Sequence, residues 1–157
     1  TVVIFCGSGS TAAIDKLIDA LVRLRGLALP SDRELGRTFY SVGLIDGGVA
    51  PNVVSPHASA ELLFRTTGPA EDILRVLADL EPLVSVQEVL RVPTVRLHTV
   101  PGFPTEVFPF TTDVPLLDRW GVPLLFGPGS ILVAHTAEAD LARPAGNHYT
   151  TGLHGFN

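Results

Sequence analysis

The chain has 157 residues, a formal net charge of −5 and one cysteine, with 46% of its residues hydrophobic and 17% charged. That length holds one ordinary domain or two small ones and buries a real core, while the acidic balance without any Lys or Arg cluster points away from nucleic acid and anionic membranes. A single cysteine, Cys6, excludes an internal disulfide and a cysteine-based zinc cage, and it reads as a buried small hydrophobe. No apolar run approaches the roughly 18 residues of a membrane span and no signal peptide is visible, so the chain is expected to be soluble and cytoplasmic. It contains no methionine and begins at Thr1, which predicts a fragment, a processed product or a partial record of a longer chain.

Thr1–Phe5 is an apolar, β-branched strand pattern. Gly7-Ser8-Gly9-Ser10 then offers a flexible loop and an N-cap. From Thr11 to Arg25 the residues Ala13, Ile14, Leu17, Ile18, Leu21, Val22 and Leu24 fall at helical spacing, and Gly26 supplies a C-terminal stop. A Gly-Ser-Gly-Ser run before a helix can cradle phosphate, yet this one lacks the Lys-Ser/Thr ending of a P-loop and the spacing of a dinucleotide fingerprint. Leu27–Gly36 reads as a loop and Thr38–Ile45 as a strand.

Asp46-Gly47-Gly48-Val49-Ala50-Pro51-Asn52-Val53-Val54-Ser55-Pro56 is the stretch around which the pattern turns. The Gly-Gly pair lets the backbone pass close to a neighbour, and the two prolines stiffen the segment and remove backbone donors. Asn52 sits between the prolines with an amide that both donates and accepts. Read alone, the stretch is a rigid, glycine-hinged connection between strands.

Ala58–Thr67 is a second strand, with Ala60, Leu62 and Phe64 alternating against Glu61, Leu63 and Arg65. Pro69 opens a helix running to about Leu80, with Ile73, Leu74, Leu77 and Leu80 on one face. Leu83–Val92 reads as another strand. The order strand, helix, strand, strand, helix, strand predicts an α+β fold: a ferredoxin-like βαββαβ domain over residues 1–92, an antiparallel sheet with two helices on one face.

Residues 93–157 differ in character. Pro93–Pro109 is proline-rich loop. Thr111-Thr112-Asp113 looks like the N-cap of a short helix, Val114–Trp120, stopped by Gly121. Val122–Phe126 reads as a buried strand leading through Gly127-Pro128-Gly129-Ser130 into Ile131–His135. These elements are too few to close a core, so the region reads as an incomplete α/β segment. Ala142–Asn157 shows no period and is expected to be poorly ordered.

Two motifs carry a family resemblance. Val42-Gly43-Leu44-Ile45-Asp46-Gly47-Gly48-Val49-Ala50-Pro51-Asn52-Val53-Val54 resembles the start of the lid (dimerisation) domain of the M20 zinc amidohydrolases. Gly121-Val122-Pro123, then Phe126-Gly127-Pro128-Gly129-Ser130 and Ala134-His135-Thr136, is similar to the end of the catalytic domain in the acetylornithine and acetyl-lysine deacetylase branch. The resemblance runs from about Ser10 to Leu141 and covers a lid and the last part of a catalytic domain. It implies that residues 93–157 are a C-terminal remnant of that catalytic domain.

The resemblance also implies roles. His135 matches a ligand of one of two zinc ions, where imidazole is a suitable donor. Asn52 matches a lid asparagine reaching toward substrate at the dimer partner's site, so a homodimer through the lid is implied. Arg65 matches an arginine that forks onto a substrate carboxylate. Gly127, Pro128, Gly129 and Ser130 match a loop lining the substrate pocket, and Thr112-Asp113 matches a pocket-forming pair. The implied substrate is a small N-acyl amino acid, with amide hydrolysis by zinc-activated water.

The departures bear on activity. That chemistry needs a His-x-Asp motif, a bridging Asp, a Glu, the final His and a Glu-Glu pair that supplies the general base. This sequence contains no His-x-Asp and no Glu-Glu, and His57, His98, His148 and His154 stand in none of these patterns. The histidine that the family carries before its first lid helix is absent from Cys6-Gly7-Ser8-Gly9-Ser10. The terminal helix that the family places after His135 gives way to an unrelated tail. The chain alone is therefore expected to be inactive. Three readings follow: the C-terminal half of an M20 deacetylase, a non-catalytic dimerisation module, or a small-carboxylate binder using Asn52 and Arg65.

Overall fold

A computed structural model of the chain describes residues 1–7, 9, 11–108, 112–117, 119, 121–128 and 149–154. The chain divides into two compact units, Thr1–Arg91 and Val92–Asn157.

The first unit is a mixed α/β body built on one sheet and two helices. Its elements are β1 (Val2–Gly7), α1 (Ala13–Gly26), β2 (Ser31–Asp32), β3 (Gly36–Arg37), β4 (Phe39–Gly47), β5 (His57–Arg65), α2 (Ala70–Leu77) and β6 (Ser85–Glu88). A 3-10 turn, Ala78–Leu80, extends α2. The main sheet has the order β4-β5-β1-β6, and all three pairings are antiparallel.

Alternation in β5 sets the core. Ala58, Ala60, Leu62 and Phe64 are buried, while the intervening side chains lie on the other face. Register carries that division into β1, because Leu62, Ala60 and Ala58 stand opposite Val2, Ile4 and Cys6, all buried. Ala13, Leu17, Ala20 and Leu24 of α1 and Ile73 and Leu77 of α2 complete the same cluster. Both helices therefore cover one face of the sheet. The Tyr40 and Phe64 rings pack at 5.4 Å between centroids.

Several boundaries differ from the sequence reading. The α1 helix begins at Ala13 rather than Thr11, and Gly26 is its last residue rather than a stop beyond it. Its apolar residues form two stripes: one is buried, whereas Ile14, Ile18 and Val22 are exposed. The expected loop 27–36 contains most of a small hairpin, β2 with β3, because Asp32 Oδ1 accepts from the Glu34 and Leu35 N–H groups at 2.8 Å and tightens the turn. The last strand shrinks to Ser85–Glu88. Beyond it, the Val89 and Leu90 N–H groups donate to the Thr1 carbonyl, and the Thr1 amine donates to the Leu90 carbonyl at 2.6 Å.

Strand β4 carries a bulge. Register steps from Val42 opposite Leu62 to Leu44 opposite Glu61, leaving Gly43 as the extra residue. Ile45, opposite Ala60, thereby joins Val42 on the helix-bearing face, while Leu44 and Asp46 turn to the other face. Glycine suits the extra position, since no side chain has to be accommodated there.

In the second unit, β7 (Thr105–Phe108), β9 (Tyr149–His154) and β8 (Phe126–Pro128) form a sheet of order β7-β9-β8. β9 runs parallel to β7 and antiparallel to β8, and it lies in the stretch expected to be poorly ordered. The expected helix 114–120 is a 3-10 turn, Val114–Leu116, because Leu117 at φ −108°, ψ 53° leaves the helical region. The expected strand 122–126 starts only at Phe126, whose ring meets Phe103 edge-on at 5.2 Å. The strand expected over 131–135 lies outside the described residues.

Leu62 is fully buried at the centre of this packing, so Leu62→Ala is expected to cost about 2–5 kcal/mol in urea unfolding. A second prediction concerns charge. Arg91 donates to both carboxylate oxygens of Glu88 at 2.8 Å and also to Glu71. Those hydrogen bonds hold both glutamates below the ordinary carboxylate value of 4.5. Depressed carboxylate pKa values stabilise the folded state above the ordinary value, and this is lost as pH falls through the depressed ones. The melting temperature of Arg91→Ala should fall below that of the parent near neutral pH, with the gap closing under acid conditions.

Candidate functional site

The candidate site is the connection between β4 and β5, residues 48–56. Its base is closed by the Gly48 N–H donating to the His57 carbonyl at 3.2 Å. Gly47 tolerates no side chain: a Cβ there would lie 2.9 Å from the Ala58 Cβ and 3.0 Å from the His57 carbonyl oxygen. Gly48 follows at φ +82°, a left-handed conformation that favours glycine.

At the tip, the Val53 N–H donates to the Ala50 carbonyl at 3.1 Å. Pro51 and Asn52 thus occupy the two corners of a turn, where proline at the first corner is preset for the geometry. Asn52 is exposed, as are Val49, Val53 and Val54. Its amide is held out on a stiff tip, available to a group outside the chain.

Ser55 is the anchor. It is buried, its hydroxyl oxygen accepts from the Ile14 N–H at 2.9 Å, and its carbonyl accepts from the Ala13 N–H at 3.0 Å. The residue at the N-cap position of α1 is Ala12, which offers no side-chain acceptor. Ser8 and Ser10, expected to supply the cap, lie outside the described residues, and among the described side chains the acceptor is a serine 41 residues from Ile14. Lys16 and Cys6 pin the same helix start, with Nζ donating to the Gly7 carbonyl at 3.1 Å and the thiol to the Ala13 carbonyl at 3.0 Å. Burial raises the Cys6 pKa, in keeping with a structural thiol.

Arg65 lies at the far end of β5, opposite Phe39. With a rise of about 3.4 Å per residue, the strand separates it from the loop by roughly 27 Å. Asn52 and Arg65 are not brought together, so one carboxylate pocket using both is not formed within unit 1. His57 Nε2 and Asp46 Oδ2, both exposed, stand 3.8 Å apart at the base of the loop. Nothing in the sequence pattern singles out this pair except that His57 and Asp46 flank the loop almost symmetrically.

The residues expected to line a pocket in the second unit are described only in part. Gly127 and Pro128 lie in β8, in register with Thr150 and Tyr149, rather than in a loop. Gly129, Ser130 and His135 lie outside the described residues. Thr112 Oγ1 accepts from the Val114 N–H at 3.3 Å, and the Asp113 carbonyl accepts from the Leu116 N–H at 2.9 Å, so this pair shapes the 3-10 turn. Among the described residues no three His, Cys, Asp or Glu side chains come together to hold a metal ion. The described residues therefore do not by themselves make up a zinc site.

The peptidase dimerisation domain family matches residues 8–89, from the β1–α1 connection to just past β6. The chain belongs to the M20 peptidase dimerisation-domain family. Two relatives carry M20 in their names. A peptidase M20 domain-containing protein of Schizosaccharomyces pombe is 35% identical over 79% of this chain and 32% of its own length. One of Sordaria macrospora is 36% identical over 79% of this chain and 30% of its own. A probable carboxypeptidase of Paracoccidioides brasiliensis is 35% identical over 81% and 32%. This M20 chain thus spans about a third of the length of the curated relatives it matches. No helix among its described residues is long and apolar enough to cross a membrane.

The close approach at Gly47 gives a direct prediction. Gly47→Ala should destabilise the fold by about 1–3 kcal/mol through overpacking against Ala58. Gly26→Ala, where a Cβ meets nothing within 4 Å, should show no such loss in the same urea titration.

Proposed function

We propose that this chain is the dimerisation lid, with an attached catalytic-domain segment, of an M20 hydrolase that cleaves an amide bond beside a free carboxylate. The observation that carries the reading is the family match over residues 8–89. The lid is assigned the ferredoxin-like arrangement because its main elements run strand, helix, strand, strand, helix, strand in the order β4-β5-β1-β6. Relatives named probable carboxypeptidases favour a peptide-type substrate. The finer assignment to an acetylornithine or acetyl-lysine deacetylase rests on the Gly127-Pro128-Gly129-Ser130 and His135 pattern alone. The two share one chemistry, because a C-terminal peptide bond and an N-acyl amino acid both present an amide next to a carboxylate.

Within that reading this chain supplies contacts. Asn52 reaches substrate held by a second copy, Arg65, at the other end of β5, binds the carboxylate of a different substrate molecule, and His135 serves as a zinc ligand alongside donors from the rest of the longer protein. The general base lies outside this sequence, which has no Glu-Glu pair.

Association through β4 is supported by its surface. It is an edge strand of 9 residues, and Val42, Leu44 and Ile45 are exposed. Unpaired edges with apolar side chains are templates for pairing. The exposed stripe Ile14, Ile18 and Val22 on α1 adds apolar surface on the same side of the sheet as Val42 and Ile45. A two-fold copy would cover both and bring its Asn52 loop across.

Sedimentation equilibrium should return about twice the 16.7 kDa chain mass. Ile45→Lys should weaken the dimer by at least about tenfold, or 1.4 kcal/mol, whereas Phe5→Lys on the opposite face should leave it unchanged. With added zinc, the chain alone should hydrolyse neither N-acetylornithine nor a dipeptide. Turnover of either would overturn the placement of the base outside this sequence.

A further inference from the structure

The loop bearing Asn52 and the apolar stripe of α1 share one residue. Ile14 gives its backbone N–H to the Ser55 hydroxyl at 2.9 Å, and its Cδ1 lies 3.0 Å from where a Gly48 Cβ would stand. Gly48 and Ser55 are the two ends of the loop. The side chain of Ile14 therefore abuts one end and its backbone holds the other, and Ile14 itself is the first member of the exposed stripe completed by Ile18 and Val22.

A helix start normally finds its acceptor within its own first turn or just before it. Here Ala12 provides none, so the orphan donor of Ala13 is satisfied by the Ser55 carbonyl, and that of Ile14 by the Ser55 hydroxyl, the one side-chain acceptor among the described residues at this helix start. Ser55 is buried, so water does not readily replace it. Between the two anchored ends, the Ala50–Val53 turn leaves little slack. The loop that carries Asn52 is thus tied at both ends to the α1 start.

We propose that Ser55 is a positioning residue that couples occupancy of the α1 stripe to the placement of Asn52, so that association of two copies orders the loop each presents. The inference rests on the dimer reading above. It makes the Asn52 contact firmer in the dimer: a lone copy already anchors the loop at Gly48 and Ser55, and a paired copy, by fixing the α1 start, holds it more tightly. A bond to a helix terminus is a suitable relay because it is directional and fixes orientation, unlike apolar contact.

The test is amide hydrogen exchange of peptides spanning residues 48–54, measured on the whole chain above and below its dimer dissociation constant. In the parent chain, exchange should be about tenfold slower in the dimer than in the monomer. Ser55→Ala should bring the two rates to within about twofold of each other while its dimer dissociation constant stays within about threefold. Ser55→Thr, which keeps the hydroxyl acceptor, should restore the difference. Equal loop exchange in parent monomer and dimer overturns the coupling without any variant, as does a Ser55→Ala profile identical to the parent's. A parent chain that sediments as a monomer at every concentration overturns the dimer reading and the coupling with it. Faster loop exchange in Ser55→Ala would then show anchoring without coupling.

Discussion

The fold of unit 1 depends on the placement of β5 between two partners. Its four inward side chains, Ala58, Ala60, Leu62 and Phe64, are small where α1 begins and large toward the other end. That gradient lets the α1 start approach the sheet closely. Close approach in turn puts the Ala13 and Ile14 N–H groups within reach of Ser55. A shift of β5 by one residue would turn all four to the other face and separate the helix start from its cap.

Periodicity makes the core legible in the sequence. The alternation of residues 58–65 and the helical spacing of 13–24 are local signals that tertiary packing reinforces. The exposed stripe on α1 is not legible, because apolar residues at helical spacing look alike whether they face a core or a partner. The Ser55 cap is invisible for another reason: donors and acceptor stand 41 residues apart, and a nearer run of serines offers a plausible local cap. In the second unit, Val114–Trp120 reads as a helix from composition, but a short segment with Pro115 in its first turn needs packing to propagate and stops after one 3-10 turn. Family resemblance locates Asn52 and Arg65 but not their separation, which only the course of β5 defines.

The bulge at Gly43 shows how one residue can serve fold and surface together. Without it, Asp46 would stand opposite Ala58 on the face that carries α1, and a carboxylate would sit on the apolar side of the strand. With it, Ile45 takes that face and Asp46 turns away toward His57. An extra residue in an edge strand thus changes the chemistry of the surface beside it without altering the pairing on either side.

The Thr1 amine and carbonyl hydrogen-bond with Leu90 and Val89, so the two ends of unit 1 lie side by side. A body whose ends meet can be opened elsewhere and rejoined there, because a short linker between Thr1 and Leu90 would span the gap at little entropic cost. The β2–β3 turn, where Arg33 and Glu34 are exposed and, among the described residues, the two strands pair only with each other, is a natural place for new termini. A circular permutant cut there would keep β5, the Ser55 cap and the β4 edge on one uninterrupted chain.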